Sequence, residues 1–130
     1  MRKKSPSQQL LALAVARLAP YPAVFLPTPI GGFEVVFPNF ARLAAYGHDL
    51  TAAQKAAAAN LTAELTGLLK AGDEPPAPSD PDRLVAGEDE PPGSKLFMVA
   101  PETEVIAMRL GIKRRERGIN LASLGRFGKK

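Results

Sequence analysis

Residues 31–39 have the sequence Gly31-Gly32-Phe33-Glu34-Val35-Val36-Phe37-Pro38-Asn39 and give the clearest indication of the fold. Its two glycines are typical of a turn. From residue 33 to residue 37 the side chains alternate, so that both phenylalanines and the first valine point one way, which is the two-residue period of a half-buried strand. Because a second apolar run occupies residues 21–26, the two runs on either side of the turn predict a β-hairpin.

Beyond the hairpin the sequence predicts a short strand and then a long helix. The strand covers residues 43–46 and ends at Gly47. In residues 51–70 alanines and leucines recur at helical spacing and form one apolar face. Thr51 and Gln54 have the spacing of a capping box, which places the start of the helix at about Thr51.

The helix is followed by a segment of different character. Gly72 stands where a helix-ending glycine belongs. Residues 71–93 are rich in proline and in acidic side chains, which predicts a loop, with a turn of helix near residues 80–85. Residues 95–99 predict the last strand.

Both chain ends predict further helices. Ser5 and Gln8 have the spacing of a second capping box, and this helix would run to about residue 18. Its preceding cations suggest a secretory leader, but Arg17 interrupts the apolar run, which is too short to span a bilayer. We therefore expect a cytoplasmic protein, with secretion as the alternative. At the other end, residues 102–117 predict a helix with cations in its C-terminal part.

The order of elements predicts the fold class. Helix, three strands, helix, loop, strand and tail together indicate an α+β protein, in which a small antiparallel sheet packs on one long helix. We divide the chain into an N-terminal helix (1–20), a core domain (21–100) that contains the acidic Pro-rich loop (71–93), and a basic C-terminal tail (101–130).

Charge is unevenly distributed. Residues 1–17 carry four cations and no acid, and residues 101–130 carry eight cations and three acids, whereas the part between them carries five cations and ten acids. Such segregation indicates a body that faces a basic partner and ends that face an anionic one, although solubility alone would also account for it. The chain has no cysteine, which excludes disulfides and thiolate metal sites.

Four pieces of the sequence occur in a familiar order. A Tyr-Pro-apolar strand is followed by a Gly-rich turn with an aromatic strand, a Gly-acid segment that opens an Ala-rich helix, and a Gly-acid-Pro-Pro-Ser helix end. The pieces are Tyr21-Pro22-Ala23-Val24-Phe25, Gly31-Gly32-Phe33-Glu34-Val35-Val36-Phe37-Pro38-Asn39, Gly47-His48-Asp49-Leu50-Thr51-Ala52-Ala53 and Leu68-Leu69-Lys70-Ala71-Gly72-Asp73-Glu74-Pro75-Pro76-Ala77-Pro78-Ser79. Over residues 21–99 the chain thereby resembles the HicB-like antitoxin family, whose fold is a partial ribonuclease-H-like β-β-β-α-β unit.

The chain departs from that family pattern in three places. Asn39-Phe40-Ala41-Arg42 stands where the family has a turn of Asp-Leu-Pro-Gly type. The N-terminal helix is an addition. Residues 101–130 are shorter than the ribbon-helix-helix or helix-turn-helix module that family members often carry.

The resemblance implies an antitoxin of a type II toxin-antitoxin pair that binds and masks a HicA-like toxin, a small ribonuclease with a basic RNA-binding surface. Repression of its own operon, through operator DNA, would be a second role. The alternative is a stand-alone nucleic-acid-binding or adaptor protein that uses its basic ends. Unpaired edge strands favour a homodimer or higher oligomer.

Two sets of residues are the candidates for these contacts. The residues expected to face a toxin are Asn39, Phe40, Arg42, Tyr46, Asp73, Glu74, Asp80 and Asp82. The residues expected to contact nucleic acid are Arg109, Lys113, Arg114, Arg115 and Arg117.

The sequence contains no recognisable set of catalytic residues. A metal-dependent nuclease needs several converging carboxylates, and in the folded body Glu34, Asp49 and Glu64 show no spacing that unites them. His48 beside Asp49 could form a base and its orienting group, but no nucleophile accompanies them. We expect these groups to be solvent-facing charges, and we predict no enzyme activity, catalytic residue, metal site or cofactor.

Overall fold

The computed structural model describes residues 7–83 and 91–112. It contains a four-stranded antiparallel sheet with the strand order β3-β2-β1-β4. The strands and helices are α1 (Gln8–Ala16), β1 (Tyr21–Pro27), β2 (Phe33–Phe37), β3 (Phe40–Gly47), α2 (Leu50–Lys70), β4 (Lys95–Val99) and α3 (Thr103–Arg109), with a 3₁₀ turn at Pro81–Arg83. The predicted α+β class and the β-β-β-α-β order are thus confirmed.

One face of the sheet, called here the inner face, forms the core. Phe25 and Val35 are paired across β1 and β2, and both side chains are fully buried. Helix α2 covers this face with a row of side chains that have no exposed surface, namely Ala53, Ala57, Leu61 and Leu65. Two of these four are alanines, which allows the helix axis to lie close to the sheet.

The sheet and the helix approach each other closely at the end of β3. A Cβ built on Gly47 would stand 2.1 Å from the Ala53 backbone nitrogen and 2.4 Å from its Cα. Both are backbone atoms, which cannot move without shifting the helix. A glycine is therefore required here because of space.

The two ends of α2 are fixed by local hydrogen bonds. Asp49 caps the N-terminus, since its carboxylate accepts a 2.8 Å bond from the Ala52 amide. At the C-terminus Gly72 has a φ of +81°, and the Asp73 amide donates to the Leu68 carbonyl at 2.8 Å. This is the Schellman arrangement that the glycine predicts.

Helices α1 and α3 complete the core. They contribute the buried Val15 and Ile106 to the same apolar cluster as α2. The buried Thr62 of α2 accepts a 3.0 Å bond at its hydroxyl from the Glu102 amide, just before α3. The first turn of α1 meets the end of α3, because the Gln8 side-chain amide donates to the Gly111 carbonyl.

Several predicted boundaries were wrong. Helix α2 begins at Leu50 and is capped by Asp49, two residues before the predicted cap Thr51. Asp49 has extended backbone, which lets its carboxylate accept a hydrogen bond from the Ala52 amide. Helix α1 is capped by Ser7, two residues after the predicted cap Ser5, which itself lies outside the described residues. The third strand starts at Phe40 and not at residue 43.

The C-terminal helix is the remaining correction. Helix α3 ends at Arg109, and Leu110, in αR backbone, is followed by Gly111 with a φ of +73°. Expected helical residues from 113 onward, and residues 84–90 of the loop, lie outside the described part of the chain.

Candidate functional site

The tip of the β2–β3 hairpin holds the segment that follows α2, called here the acidic segment (residues 71–83). The Asn39 side-chain amide donates to the Ala77 carbonyl and to the Ser79 hydroxyl, both at 3.0 Å. Its oxygen accepts a 3.1 Å bond from the Ser79 amide. A single side chain therefore fixes the segment at two positions, as a short strand partner would.

Tyr21 provides a second anchor for the acidic segment. Its hydroxyl donates to the Pro76 carbonyl, and burial raises the pKa of this phenol above its ordinary value of 10. Its ring packs edge-on against Phe40 with the ring centroids 4.9 Å apart. The neutral phenol is thus the form that the fold uses.

These anchors expose the acidic side chains of the segment. Asp73 and Glu74 precede the anchored residues, Asp80 and Asp82 follow them, and all four are exposed. The Asp80 carboxylate also accepts a 2.9 Å bond from the Asp82 amide. The fold therefore brings Asp80, the neighbour of Ser79 in the sequence, close to Asn39, from which it is separated by about forty positions.

Phe40, Arg42 and Tyr46 lie on β3, an edge strand of the sheet. Phe40 is only 8% exposed and packs in the core, so its backbone alone is available at this edge. Arg42 is exposed. Tyr46 lies six residues beyond Phe40, about 20 Å along the strand, and its hydroxyl donates to the Gly31 carbonyl at 2.6 Å. The three β3 residues of the toxin-facing set are thus spread along the edge and do not form one cluster.

The other face of the sheet, called here the outer face, carries apolar residues that the candidate sets did not include. Strand register aligns one row across all four strands, consisting of Ala44, Val36, Val24 and Leu96. Leu96 is 37% exposed, and Met98, two residues along β4, is 46% exposed. The alternation in β4 was visible in the sequence, but the row exists only once the register is known.

The nucleic-acid set is described at one position. Arg109 is exposed in the last turn of α3. Lys113, Arg114, Arg115 and Arg117 lie outside the described residues, and their predicted role stays a prediction.

The candidate acid-base groups are not brought together. Glu34 lies on the outer face, whereas Glu64 lies exposed on the helix that covers the inner face. His48 Nε2 stands 3.3 Å from the Asp49 carboxylate, with both side chains mostly exposed, and that carboxylate also caps α2. Within residues 7–83 and 91–112, no three His, Cys, Asp or Glu side chains are grouped closely enough to hold a metal. Over the same residues no helix has the length and hydropathy of a membrane span.

Comparison with known proteins finds similarity in structure alone. No protein-family model and no curated protein matches the chain. A toxin-antitoxin complex from Streptococcus pneumoniae contains a chain that superposes with a TM-score of 0.58 at 23% identity, over 67% of this chain and 71% of that one. The antitoxin HicB of Burkholderia pseudomallei matches with a TM-score of 0.56 at 17% identity, over 64% of this chain and 63% of that one.

A third structure, the HicA3 and HicB3 toxin-antitoxin complex, matches with a TM-score of 0.51 at 24% identity, over 65% of this chain and 99% of that one. The fold resemblance that the sequence motifs predicted is therefore confirmed. The chain has the fold seen in a HicB antitoxin and in toxin-antitoxin complexes, over about two thirds of its length.

Proposed function

We propose that this protein is a cytoplasmic antitoxin that binds and masks a HicA-like ribonuclease toxin. The observation that carries the proposal is the superposition of this fold on chains of two toxin-antitoxin complexes, at TM-scores of 0.58 and 0.51. A fold supports many activities, so the surface chemistry has to agree with this assignment.

The acidic segment supports a basic partner. A ribonuclease that grips RNA presents cations to phosphates, and an ordered row of carboxylates can occupy the same cations. Here the acids are exposed while the backbone beside them is fixed by Asn39 and Tyr21. Fixing the segment in advance lowers the conformational entropy lost on binding, which favours affinity.

The outer face supports an apolar contact next to the acids. Met98 lies opposite Pro22 at the end of the sheet where Tyr21 holds the acidic segment. Apolar surface with a charged border is typical of protein interfaces. We propose that Met98 and Leu96 pack on the toxin while Asp80 and Asp82 meet its cations.

Repression of the operon and self-association complete the proposal. The basic residues Arg109, Lys113, Arg114, Arg115 and Arg117 would contact operator phosphates. Strands β3 and β4 are the two edges of the sheet, and pairing of one edge with its copy would give a homodimer.

The test is co-expression with the product of the neighbouring gene, which the proposal predicts to be a short basic protein, followed by co-purification and a growth-rescue assay. We expect rescue by the native chain and loss of most rescue in Asp80→Asn/Asp82→Asn, which removes two charges beside the anchored backbone. Glu64→Gln/Glu102→Gln removes two exposed charges elsewhere and should rescue fully. Absence of both co-purification and rescue by the native chain would overturn the proposal.

A further inference from the structure

Strand β4 directs the backbone of two of its residues away from the sheet. Just beyond β1 the Thr28 amide donates to the Gly32 carbonyl at 3.1 Å, in the same register as the pairing of β1 with β2. Because successive residues of a strand bond to opposite sides, the even-numbered residues of β1 bond to β2 and the odd-numbered ones to β4. Those odd-numbered residues pair with residues 95, 97 and 99. The amides and carbonyls of Leu96 and Met98 therefore point to the open side.

The two prolines of β1 agree with this alternation. A proline has no amide hydrogen to donate. Pro22 is even-numbered and precedes Val24, the first residue of β1 that pairs with β2, whereas Pro27 is odd-numbered and follows Phe25, the last residue that pairs with β4. Neither missing hydrogen therefore removes a bond from the sheet.

The side chains along the open edge of β4 are apolar and partly exposed. Leu96 and Met98 are 37% and 46% exposed on the outer face. Phe97 lies half-buried on the inner face, edge-on to Phe25 with the ring centroids 5.2 Å apart. The edges of sheets in soluble proteins are usually protected by charges, prolines or bulges. In β4 the one charge is Lys95, its first residue, and residues 96–99 contain none of these protections.

The opposite edge of the sheet, β3, is protected. The same alternation turns the Ala44 carbonyl outward, and there it accepts a 2.8 Å bond from the side-chain amide of Asn60 on α2. Arg42 is exposed on the same strand, and the register shift opposite Val36 and Phe37 interrupts the start of the strand. Within the described residues each chain thus has one open edge and one protected edge.

We propose that β4 pairs antiparallel with β4 of a second copy of this chain, with Phe97 of both copies at a two-fold axis, so that two four-stranded sheets become one continuous sheet. Leu96 of each copy then lies opposite Met98 of the other, and each such pair exchanges two backbone hydrogen bonds. These bonds satisfy all the outward amides and carbonyls of both residues. The inference deepens the self-association in the proposed function by assigning it to one edge.

The chemistry of this edge favours its own copy as the occupant. Antiparallel pairing about Phe97 packs Leu96 against Met98 on the outer face and the two Phe97 rings against each other on the inner face. It also holds the two Lys95 residues about 14 Å apart along the strands, whereas a parallel pairing in register would place these like charges side by side. Because the β3 edge is protected, association ends at two copies.

The experiment measures the mass of the full-length protein, 13.8 kDa for one chain, by sedimentation equilibrium over a range of concentrations. We expect a dimer whose Kd rises about thirtyfold in Met98→Pro, because the variant removes two of the four bonds between the copies. The fold should persist, since the Met98 amide makes no bond within the sheet and edge strands accept a proline at such a position. Met98→Leu keeps the amide and an apolar side chain and should dimerise like the native chain.

A second variant tests the same edge without a proline. Met98→Lys keeps every backbone amide and places two cations beside the two-fold axis, so it should also weaken the dimer. The matched control is Ala44→Lys, which adds the same charge at an exposed position on the outer face of the β3 edge. It should dimerise like the native chain.

Single cysteines test the register, since the native chain has none. In the proposed dimer the Cα atoms of Leu96 and of the opposite Met98 are about 5.5 Å apart, within the range of a disulfide. An oxidised mixture of Leu96→Cys and Met98→Cys chains should therefore form a cross-linked dimer. Leu96→Cys alone should not, because its two copies lie about 8 Å apart or more. Equal cross-linking of Leu96→Cys alone would overturn the register.

The outcomes separate this inference from the proposed function. A native chain that is monomeric at every concentration overturns both the β4 pairing and the self-association, while toxin masking is judged by growth rescue with that chain. A dimer that Ala44→Lys disrupts and Met98→Lys does not would move the association to β3, so that self-association stands and this inference is wrong. A monomer whose co-purification with the toxin is lost in Met98→Pro and kept in Met98→Leu would show that the toxin, and not a second copy, occupies the edge.

Discussion

Val35 and Val36 are neighbours on β2, yet they have opposite surroundings. Val35 points to the inner face and has no exposed surface, whereas Val36 points to the outer face and lies half-buried in a row that ends at the exposed Leu96. Both faces carry apolar residues, and the difference lies in what covers them. Helix α2 makes the inner face a core, and the outer face remains a surface on which another protein can bury apolar area.

The largest effect should follow from Gly47→Ala, at the point where β3 meets α2. The added methyl would overlap the Ala53 backbone, so the helix must move off the inner face, and we expect a loss of about 3 kcal/mol or more in unfolding free energy. Gly67→Ala is the control, since a Cβ there meets nothing within 4 Å. That change should stabilise the helix by about 0.5–1 kcal/mol, as measured by denaturant unfolding. Equal effects would show that the close approach does not exist.

The pair Val35→Ala and Val36→Ala compares the two faces most directly. Both variants remove the same two methyl groups from one strand, so differences in β-propensity cancel. We expect Val35→Ala to cost about 2–3 kcal/mol and Val36→Ala about 1 kcal/mol or less. Val36→Ala should weaken binding to the proposed toxin partner without changing the fold. Equal losses of stability in the two variants would instead mean that both faces are equally covered.

Asn39→Ala should loosen the acidic segment and leave the outer face of the sheet unchanged, so that the two regions are tested separately. The variant removes three hydrogen bonds and leaves the Ser79 amide and the Ala77 carbonyl to find water. We expect a loss of about 1–2 kcal/mol and faster amide hydrogen exchange over residues 76–79. Asn60→Ala removes a single exposed hydrogen bond to the Ala44 carbonyl. This control should leave amide exchange over residues 76–79 unchanged and lower the unfolding free energy by no more than about 1 kcal/mol.

The smallest effect concerns the pH dependence of Tyr21. Its pKa is raised in the folded state by burial, so above pH 10 the unfolded chain releases this proton first and stability falls as pH rises. The difference in unfolding free energy between the native chain and Tyr21→Phe should therefore shrink above pH 10. Tyr46→Phe, which alters an exposed ring, serves as the control. A constant difference between the native chain and Tyr21→Phe from pH 8 to pH 11 would contradict the buried phenol.

Most strands and helices could be predicted from the periodicity of apolar residues. Their end points, in contrast, depended on competition between neighbouring residues. Strand β2 was predicted with its true limits, because its alternating residues are bounded by two glycines on one side and a proline on the other, and both end a strand. The start of α2 was misplaced because Thr51 and Gln54 have capping-box spacing, although Asp is the stronger capping residue and Asp49 caps the helix in the structure. Strand β3 was predicted too short because its register with β2 shifts between Val36 and Phe37, and such irregularities do not show in alternation.

The candidate site was less predictable than the fold. The acids of residues 71–83 were identified by composition, but their connection to Asn39 and Tyr21 spans forty to fifty-five positions. Phe40 was predicted to face a toxin at the surface. It lies instead in the core, because its ring packs beside Tyr21. A hydrophobic side chain at a hairpin tip gives no indication in the sequence of which way it will turn.

By itself the sequence determined the element types, the α+β class, the segregation of charge and the resemblance to HicB-like antitoxins, because these depend on composition and on spacings within a few residues. Packing between distant parts of the chain established which apolar face is covered, which backbone the Asn39 amide holds, and that Gln8 lies beside Gly111. Those features depend on contacts between distant parts of the chain, and such contacts form only when α1, α2 and α3 pack together on the sheet.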